Sequence, residues 1–210
     1  MTSSSQGGTL DSFHAMKNLK YVDLAATDLT GTLDALANCT KLRALSLFQC
    51  DGVGGSLEPL ASCPMLQNLT LTLTQIYGPL APLAECPLLQ ELRLSGTNVS
   101  GPLDALANCK KLQMLSLYKT QVEGVLDPLS GCSEIMSIDV SGGMVYKYQP
   151  PREYKMKMEG NVTSLVKCRK LAFLRVKYTF VTGNVSTLNA ERARLDDKAE
   201  AEAEAEAGRS

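Results

Sequence analysis

The sequence is poor in aromatic residues and has almost no charge excess of either sign. Tryptophan is absent, aromatic residues make up 5% of the 210 residues, and the formal net charge is −1. A chain with an isoelectric point of about 5.9 gives no reason to expect wholesale binding to nucleic acid or to an anionic membrane surface. No apolar run approaches the roughly 18 residues that a spanning helix requires. We therefore expect neither a membrane nor a nucleic-acid partner.

Residues that build catalytic and metal sites are also scarce. His14 is the only histidine, no CxxC motif occurs, and the GVGG at 52–55 is not followed by the Lys-Ser/Thr of a phosphate-binding loop. The first residues, MTSSSQGGTLDSF, lack the basic start and apolar stretch of a secretory signal. The sequence predicts no enzymatic activity, no cofactor and no metal site, and it favours a cytoplasmic or nuclear location.

The dominant feature of the sequence is an internal repeat. Its first apolar residue recurs in steps of 23 or 24 residues, with one final step of 36, at Leu19, Leu42, Leu66, Leu89, Leu112, Ile135 and Leu171. Because the long step exceeds the period by 13 residues, we predict an insertion after the sixth strand, at about residues 144–160. A fixed period of this length is typical of a solenoid, in which neighbouring turns bury one another's apolar faces.

The individual turns share the pattern LxxLxLxxTxV followed by a segment such as GPL. Residues 89–99 read LQELRLSGTNV and residues 112–122 read LQMLSLYKTQV. From residue 8 to about 189 this pattern resembles the leucine-rich-repeat family, whose core is LxxLxLxxNxL. The resemblance implies an α/β-type repeat solenoid, a curved array with a parallel β-sheet on the concave face and short 3₁₀ or α turns on the convex face. The GPL segment also implies a short second strand in each turn.

Six of the seven cysteines stand at the same position of successive turns, at Cys39, Cys63, Cys86, Cys109, Cys132 and Cys168. Met16 occupies that position in the first turn, so we interpret the position as an apolar core site. Stacked side chains point in parallel into the core rather than towards one another, and free cysteine is among the most buried residue types. We expect reduced, buried thiols rather than disulfides or a soft-metal site.

The two ends of the chain depart from the repeat. We expect residues 1–7 to be disordered, residues 8–189 to form the solenoid, and residues 190–210 to form an acidic Ala/Glu-rich tail. Alternation of Ala and Glu has a period of two and gives a helix no apolar face. One or two helical turns covering the last coil, followed by a frayed tail, are therefore predicted. Since the chain starts in mid-repeat, we favour a fragment of a longer array over an improvised cap.

Candidate binding residues follow from the alternation of side chains along each strand, which directs every second residue outward. Large apolar residues and arginine are enriched at protein interfaces, and the insertion is basic and rich in tyrosine. The predicted partner-binding residues are Phe48, Arg93, Met114, Tyr118, Tyr146, Lys147, Arg152, Tyr154, Lys155, Phe173, Arg175 and Lys177. A merely solvated sheet face and an insertion without function remain open alternatives.

Solenoids usually serve as binding surfaces, so the sequence predicts a non-catalytic protein-recognition or scaffold module that is monomeric and binds a protein on its concave face. Two alternatives remain. The array could be the sensor or targeting part of a longer enzyme of the kinase or ubiquitin-ligase type. It could also bind a polyanion such as RNA through the basic insertion, together with Arg175 and Lys177.

Overall fold

Most turns of the chain contribute two short strands and one 3₁₀ helix. The computed structural model describes residues 8–145 and 152–207. Its strands are β1 (Tyr21–Asp23), β2 (Thr30–Thr32), β3 (Ala44–Ser46), β4 (Gly52–Ser56), β5 (Asn68–Thr70), β6 (Gln75–Pro79), β7 (Glu91–Arg93), β8 (Asn98–Pro102), β9 (Met114–Ser116), β10 (Gln121–Val125), β11 (Ser137–Asp139), β12 (Gly143–Val145), β13 (Arg152–Tyr154), β14 (Met158–Glu159) and β15 (Phe173–Arg175).

The first strands of the turns form a seven-stranded sheet in the order β1-β3-β5-β7-β9-β11-β15. All of its neighbours are parallel, and equivalent leucines are in register, as in Leu69 with Leu92 and Leu92 with Leu115. These central residues point into the core and are fully buried, while their neighbours in the strand face outward. This confirms the parallel sheet that the repeat predicts.

The second strands form a six-stranded parallel sheet in the order β14-β10-β8-β6-β4-β2. Each of them turns at a glycine with a positive φ angle, such as Gly101 at 85° and Gly124 at 100°. An L-residue with a side chain rarely adopts this conformation, so the glycine of the GPL segment is required by the backbone. The predicted short second strand is therefore present, and in β2, β4, β6, β8 and β10 the glycine is the last residue but one of the strand.

The convex side carries 3₁₀ helices, as the short and Pro-containing segments predict. They are Leu10–Ala15, Leu33–Leu36, Glu58–Ser62, Ala81–Glu85, Leu103–Leu106, Asp127–Gly131 and Val162–Leu165. Three of them have proline at the first or second position, where its missing N–H leaves no hydrogen bond unmade. Each helix buries one or more leucines or valines against the two sheets, so the core is continuous along the array.

The cysteines of successive turns form a ladder of hydrogen bonds through the core. All seven are free and buried. The Sγ of Cys63 donates to the carbonyl oxygen of Cys39 at 3.5 Å, Cys86 to that of Cys63 at 3.6 Å, and Cys109 to that of Cys86 at 3.6 Å. The thiol thus acts as a weak donor between turns as well as a slender apolar group. The predicted burial is confirmed, and the ladder gives the reason for the repeated choice of cysteine.

The threonines that replace the asparagine of the family pattern bond within their own turns. The hydroxyls of Thr74, Thr97 and Thr120 donate to the carbonyl oxygens three residues earlier, at 2.7, 2.6 and 2.8 Å. All three side chains are buried. A hydroxyl has one proton to donate, so each threonine satisfies one buried carbonyl and tightens the bend after the first strand.

The insertion is shorter than the sequence predicted. The chain leaves the array after Gly142, forms the antiparallel pair β12 and β13, and returns at Met156. Met156 and Met158 are buried in the core, and Met158 pairs with Gly124, so β14 extends the second sheet. Of the predicted insertion at 144–160, residues 156–160 therefore belong to the sixth turn. Sequence analysis missed the core positions of Met156 and Met158, because Lys155 and Lys157 beside them made the segment look like a basic loop.

The C-terminal segment forms one long helix, α1 (Val185–Ala207), which begins inside the predicted solenoid. Leu188 is buried, and the Arg192 guanidinium donates to the carbonyl oxygens of Val166 and Cys168. Arg169 and Asp196 form a two-fold ion pair at 2.9 and 2.6 Å. In the ladder, a thiol donates to the cysteine carbonyl oxygen of the preceding turn. No cysteine follows Cys168 in the sequence, and Arg192 donates to the Cys168 carbonyl oxygen instead. The helix thus caps the end of the array through its residues from Leu188 to Asp196, and its Ala/Glu part continues as helix to residue 207.

The N-terminal end differs from the prediction at one residue. Met16 stands at the cysteine position of the first turn, yet it is 44% exposed. No earlier turn covers it in the described part of the chain, while Cys39 of the next turn donates to its carbonyl oxygen at 3.6 Å. The interpretation of this position as a core site holds for the cysteines and fails for Met16.

Candidate partner-binding surface

A shallow groove runs along the outward face of the seven-stranded sheet. It encloses about 550 Å³ and extends from Asp23 on β1 to Phe173 on β15. Its walls are side chains of alternate residues in every strand of the sheet, which is the geometry that a parallel array produces. The concave groove is therefore built jointly by outward positions of all seven strands.

Four of the predicted residues line this concave groove, namely Phe48, Arg93, Met114 and Phe173. Phe48 and Phe173 are 37% and 43% exposed. They lie near opposite ends of the groove, with Met114 between them. Small hydroxyl side chains, such as those of Ser46, Thr70, Ser95 and Ser116, fill the floor. The groove combines a few large apolar anchors with many small hydrogen-bonding groups.

Arg93 lies in the middle of the groove with unused hydrogen-bonding capacity. One terminal nitrogen contacts Glu91 at 3.3 Å, and both side chains are substantially exposed. The Nε atom of Arg93 is buried, and it has no hydrogen-bond partner among the described residues. The exposed terminal part of the guanidinium, and not the buried Nε, is therefore the part of Arg93 that a bound partner could contact.

Three further predicted residues, Tyr118, Arg175 and Lys177, line a separate pocket beside the groove, at the carboxyl ends of β9, β11 and β15. This cationic pocket encloses about 430 Å³ and is completed by Ser141, Gly142, Gly143 and Tyr178. Arg175 contacts Asp139 at 3.3 Å, and Lys177 lies 4.8 Å from the centre of the Tyr178 ring. The pocket adjoins the point where the insertion leaves the array.

Tyr154 and Lys155, two insertion residues whose side chains the structure describes, do not line the concave groove. Tyr154 and Lys155 line a third surface, of about 560 Å³, together with Gln121 and Glu123 of the second sheet. The Tyr154 hydroxyl donates to the carbonyl oxygen of Thr120 at 2.6 Å, and burial raises the pKa of this phenol. The structure therefore separates Tyr154 and Lys155 from the groove residues with which the sequence grouped them, because β13 returns along the second sheet.

The remaining predicted residues are described in part or not at all. Tyr146 and Lys147 lie outside the described residues, and only the backbone of Arg152, in β13, is described. Sequence analysis also missed two residues at the cationic pocket, Lys119 and Tyr178. Both have positive φ angles, of 56° and 58°. The repeat contained a signal for these two residues, because the residue directly before the repeated threonine adopts the same left-handed bend in other turns. Since most of these residues are not glycine, the bend cannot be recognised from residue type alone.

The thiol ladder is chemically passive. Burial, as the main cause, raises the pKa of Cys63, Cys109 and Cys168 to about 11, and that of Cys86 to about 12. A thiol that stays protonated at neutral pH is a poor nucleophile and a poor metal ligand. Within residues 8–145 and 152–207, no group of three His, Cys, Asp or Glu side chains is placed to hold a metal ion. No helix in the described part of the chain could span a membrane.

Solved structures with the same fold are numerous, although no protein-family model and no curated protein matches the sequence. The Arabidopsis receptor kinase HAESA, solved with the peptide hormone IDA and the co-receptor SERK1, is 22% identical over 83% of this chain and 28% of that chain, with a TM-score of 0.69. The plant peptide hormone receptor RGFR1, in complex with RGF2, is 19% identical over 81% and 30%, with a TM-score of 0.60.

A bacterial structure shows the same architecture. Internalin C2 from Listeria monocytogenes is 22% identical over 86% of this chain and 71% of that chain, with a TM-score of 0.63. The fold is thus that of the leucine-rich-repeat proteins. The chain spans less than a third of the two plant receptors that it resembles.

Proposed function

We propose that this chain is a non-catalytic, monomeric recognition module that holds an extended segment of a protein partner in its concave groove. The observation that carries the proposal is the groove itself, which is continuous from β1 to β15 and is lined by outward residues of the whole sheet. HAESA and RGFR1, which share the fold, were solved in complex with peptide hormones. A leucine-rich-repeat surface is therefore suited to peptide-like ligands, and the groove of this chain has the size for one.

The physical basis for affinity lies in the anchors. Phe48, Met114 and Phe173 each present apolar surface that a partner would remove from water, while the backbone of the sheet fixes their spacing. Parallel strands about 4.8 Å apart give a surface roughly 30 Å across, which corresponds to about nine residues of an extended peptide. Arg93 presents an exposed guanidinium near the centre, beside Glu91. Protein-recognition surfaces usually have a few large anchor residues surrounded by weaker, more polar contacts.

The polyanion alternative has less support from the described residues. Three cations near the insertion already face carboxylates, with Lys155 at 4.0 Å from Glu153, Lys157 at 3.7 Å from Glu123 and Arg175 at 3.3 Å from Asp139. A nucleic-acid surface usually presents a track of unpaired cations. The alternative in which this array serves a longer enzyme concerns residues beyond this chain and is compatible with the same groove.

The proposal is tested by selecting peptides from a randomised twelve-residue display library on the full chain. Affinities of selected peptides are then measured by fluorescence anisotropy for the wild type and for Met114→Ala and Phe173→Ala. Each groove variant should weaken binding by about 1–3 kcal/mol, as anchor truncations do. The control is Asp104→Ala on the convex side, which should bind like the wild type. Peptides that bind all three variants equally would contradict a concave site.

For the compartment, we propose the cytoplasm or nucleus, because seven buried free thiols suit a reducing environment. Quantifying thiols in denaturant without reductant, on protein purified from its native source under alkylating conditions, should return about seven. A value below six would indicate disulfides and an oxidising compartment.

A further inference from the structure

The cationic pocket, with Lys119 beside it, differs in charge from the rest of the concave surface. Arg175 and Lys177 line it, and Lys119 lies 5.3 Å from the ring centre of Tyr118, which also lines it. At the opposite end of the groove, the charged lining residue is Asp23. The N-terminal end of the groove thus carries the carboxylate of Asp23, whereas the C-terminal end carries Asp139 together with the cations Arg175, Lys177 and the nearby Lys119.

The pocket is held in shape by backbone features that are special to this part of the array. Lys119 and Tyr178 follow their strands in left-handed conformations, at φ angles of 56° and 58°. The corresponding residue of the turn between them is Gly142. A Cβ atom at Gly142 would collide with the backbone oxygens of Tyr154 and Tyr178, and one at Gly143 would collide with Lys119. Only glycine therefore lets the insertion leave the array between these two bends and leave the pocket open.

The cations at the pocket are positioned but incompletely neutralised. Arg175 and Lys177 lie over the rings of Phe173 and Tyr178, at 5.2 and 4.8 Å from the ring centres. The nearby Asp139 side chain is only 13% exposed and accepts hydrogen bonds from the backbone and hydroxyl of Ser141 as well as from Arg175. In the described part of the chain, neither Lys119 nor Lys177 forms an ion pair. Asp139 therefore pairs with Arg175, while Lys119 and Lys177 have no carboxylate partner among the described residues.

We propose that this cationic pocket binds an acidic side chain of the partner segment, so that the ligand is an extended peptide with Asp or Glu at the end that lies over β11 and β15. The inference rests on the proposed function and adds the chemistry and the direction of the ligand. A carboxylate in the pocket gains from Lys119, Lys177 and Arg175, whereas the same group at the other end would face Asp23. Charge complementarity of this kind fixes the register of a ligand more than it adds affinity.

A single acidic side chain fits the pocket better than a nucleic-acid backbone does. Arg175 and Lys177 line one pocket of about 430 Å³, and Lys119 lies beside it over the Tyr118 ring, so the cations are clustered instead of following a line. The next cations along the surface, Lys155 and Lys157, are engaged by Glu153 and Glu123. Cations clustered in this way can bind one anionic group, whereas a nucleic-acid backbone requires a series of phosphate contacts.

The test compares peptide selections on the full-length wild type and on the full-length Lys119→Gln/Lys177→Gln variant, using the same randomised twelve-residue library. Peptides selected on the wild type should be enriched in Asp and Glu relative to the library, and the enrichment should disappear on the variant. The control variant Lys20→Gln/Lys111→Gln removes the same charge from exposed positions outside the pocket and should keep the enrichment.

A selected acidic peptide provides the quantitative step. Replacing its Glu by Gln should weaken binding about tenfold to the wild type, and should change binding to the double-lysine variant by less than about twofold. This non-additivity would show that the peptide carboxylate and the two lysines act on each other. Equal losses on both proteins would overturn the assignment.

The remaining outcomes separate this inference from the proposed function. Peptides that require Phe173 but show no acidic preference would overturn the pocket assignment and leave the groove intact. Failure to select any groove-dependent peptide would remove both. Lysine-dependent binding of a twelve-nucleotide single-stranded RNA with a steep salt dependence, without acidic peptides, would replace the proposal by a polyanion site. An acidic preference seen only after glutamates 200, 202, 204 and 206 are changed to glutamine would assign the pocket to the chain's own tail and overturn a partner ligand.

Discussion

The inward and outward positions of the same strands follow opposite rules. Inward residues repeat almost without variation, as in Leu45, Leu69, Leu92 and Leu115, and all are buried. The outward residues beside them change from turn to turn in size, polarity and charge. Stacking requires each inward residue to match its neighbours above and below, whereas an outward residue contacts only solvent or a partner. The repeated half of each strand therefore carries stability, and the unrepeated half carries recognition.

The largest effect expected from the inward positions is a loss of stability at alkaline pH. In six thiols burial raises the pKa above the ordinary value of 9.0, to about 12 for Cys86. Below pH 9 the thiols are protonated in both states, so the full stability is present. As pH rises from 9 to 11, the unfolded chain ionises first, which favours unfolding and lowers the urea midpoint.

This pH prediction is checked by urea unfolding at pH 8, 9, 10 and 11, followed by circular dichroism. The triple variant Cys63→Ala/Cys86→Ala/Cys109→Ala is the control, and its midpoint should depend less on pH above 9. A wild-type midpoint that stays constant to pH 11 would show that the thiols are accessible to solvent in the folded state.

The second prediction concerns one inward leucine. Leu92→Ala should lower the free energy of unfolding by about 2–5 kcal/mol, because a fully buried leucine leaves a cavity between β5 and β9. Chemical denaturation measures the change. Its neighbour on the outward face provides the matched control, since Glu91→Gln should stay within about 0.5 kcal/mol of the wild type. A similar cost for both variants would break the distinction between the two faces.

The inward and outward rule explains how far the sequence could predict the molecule. In the central turns the repeated positions, such as Leu92 and Cys86, are buried as the period indicates, because each turn stacks on neighbours of the same pattern. In the terminal turns Met16 is exposed and Leu19, Leu24 and Leu174 are only partly buried. The insertion and the ends escape this logic. Met156 occupies the place of Thr120, but no neighbouring turn repeats methionine there, and nothing in the Ala/Glu pattern shows that Arg192 reaches the last carbonyls.

The candidate site was predictable in part for the same reason. The strand alternation placed Phe48, Met114 and Phe173 on the outward face, and all three line the concave groove. Tyr154 was predicted only as part of a binding insertion, because the direction of an insertion cannot be read from its composition. The structure shows that its hydroxyl binds Thr120 on the side of the second sheet.

The third prediction tests the C-terminal cap. Arg192→Ala should lower the free energy of unfolding by about 1–3 kcal/mol, because the carbonyl oxygens of Val166 and Cys168 lose a charged donor. Thermal and chemical denaturation give the change. Arg194→Ala is the control, since Arg194 is exposed and, among the described residues, pairs with Glu191 of the same helix. Equal effects of the two substitutions would mean that the guanidinium does not replace the missing thiol.

The smallest effect is expected from the tail. Removing Lys198–Ser210 should change the free energy of unfolding by less than about 0.5 kcal/mol. Within the described part of this tail, residues 198–207, the one ion pair joins Lys198 to Glu202 at 3.6 Å, and both side chains are exposed. Melting curves of the truncated and complete chains provide the comparison. A drop of several degrees would correspond to about 1 kcal/mol or more and would show that the cap extends beyond Asp197.

The most direct test uses two adjacent residues on opposite faces, Leu47 and Phe48, and measures stability and peptide affinity for both alanine variants. Leu47 is fully buried and Phe48 lines the concave groove. Leu47→Ala should cost about 2–5 kcal/mol of unfolding free energy and leave the affinity of the folded protein unchanged. Phe48→Ala should cost less than about 1 kcal/mol of stability and weaken peptide binding by about 1–3 kcal/mol. Loss of affinity in Leu47→Ala with none in Phe48→Ala would contradict the account.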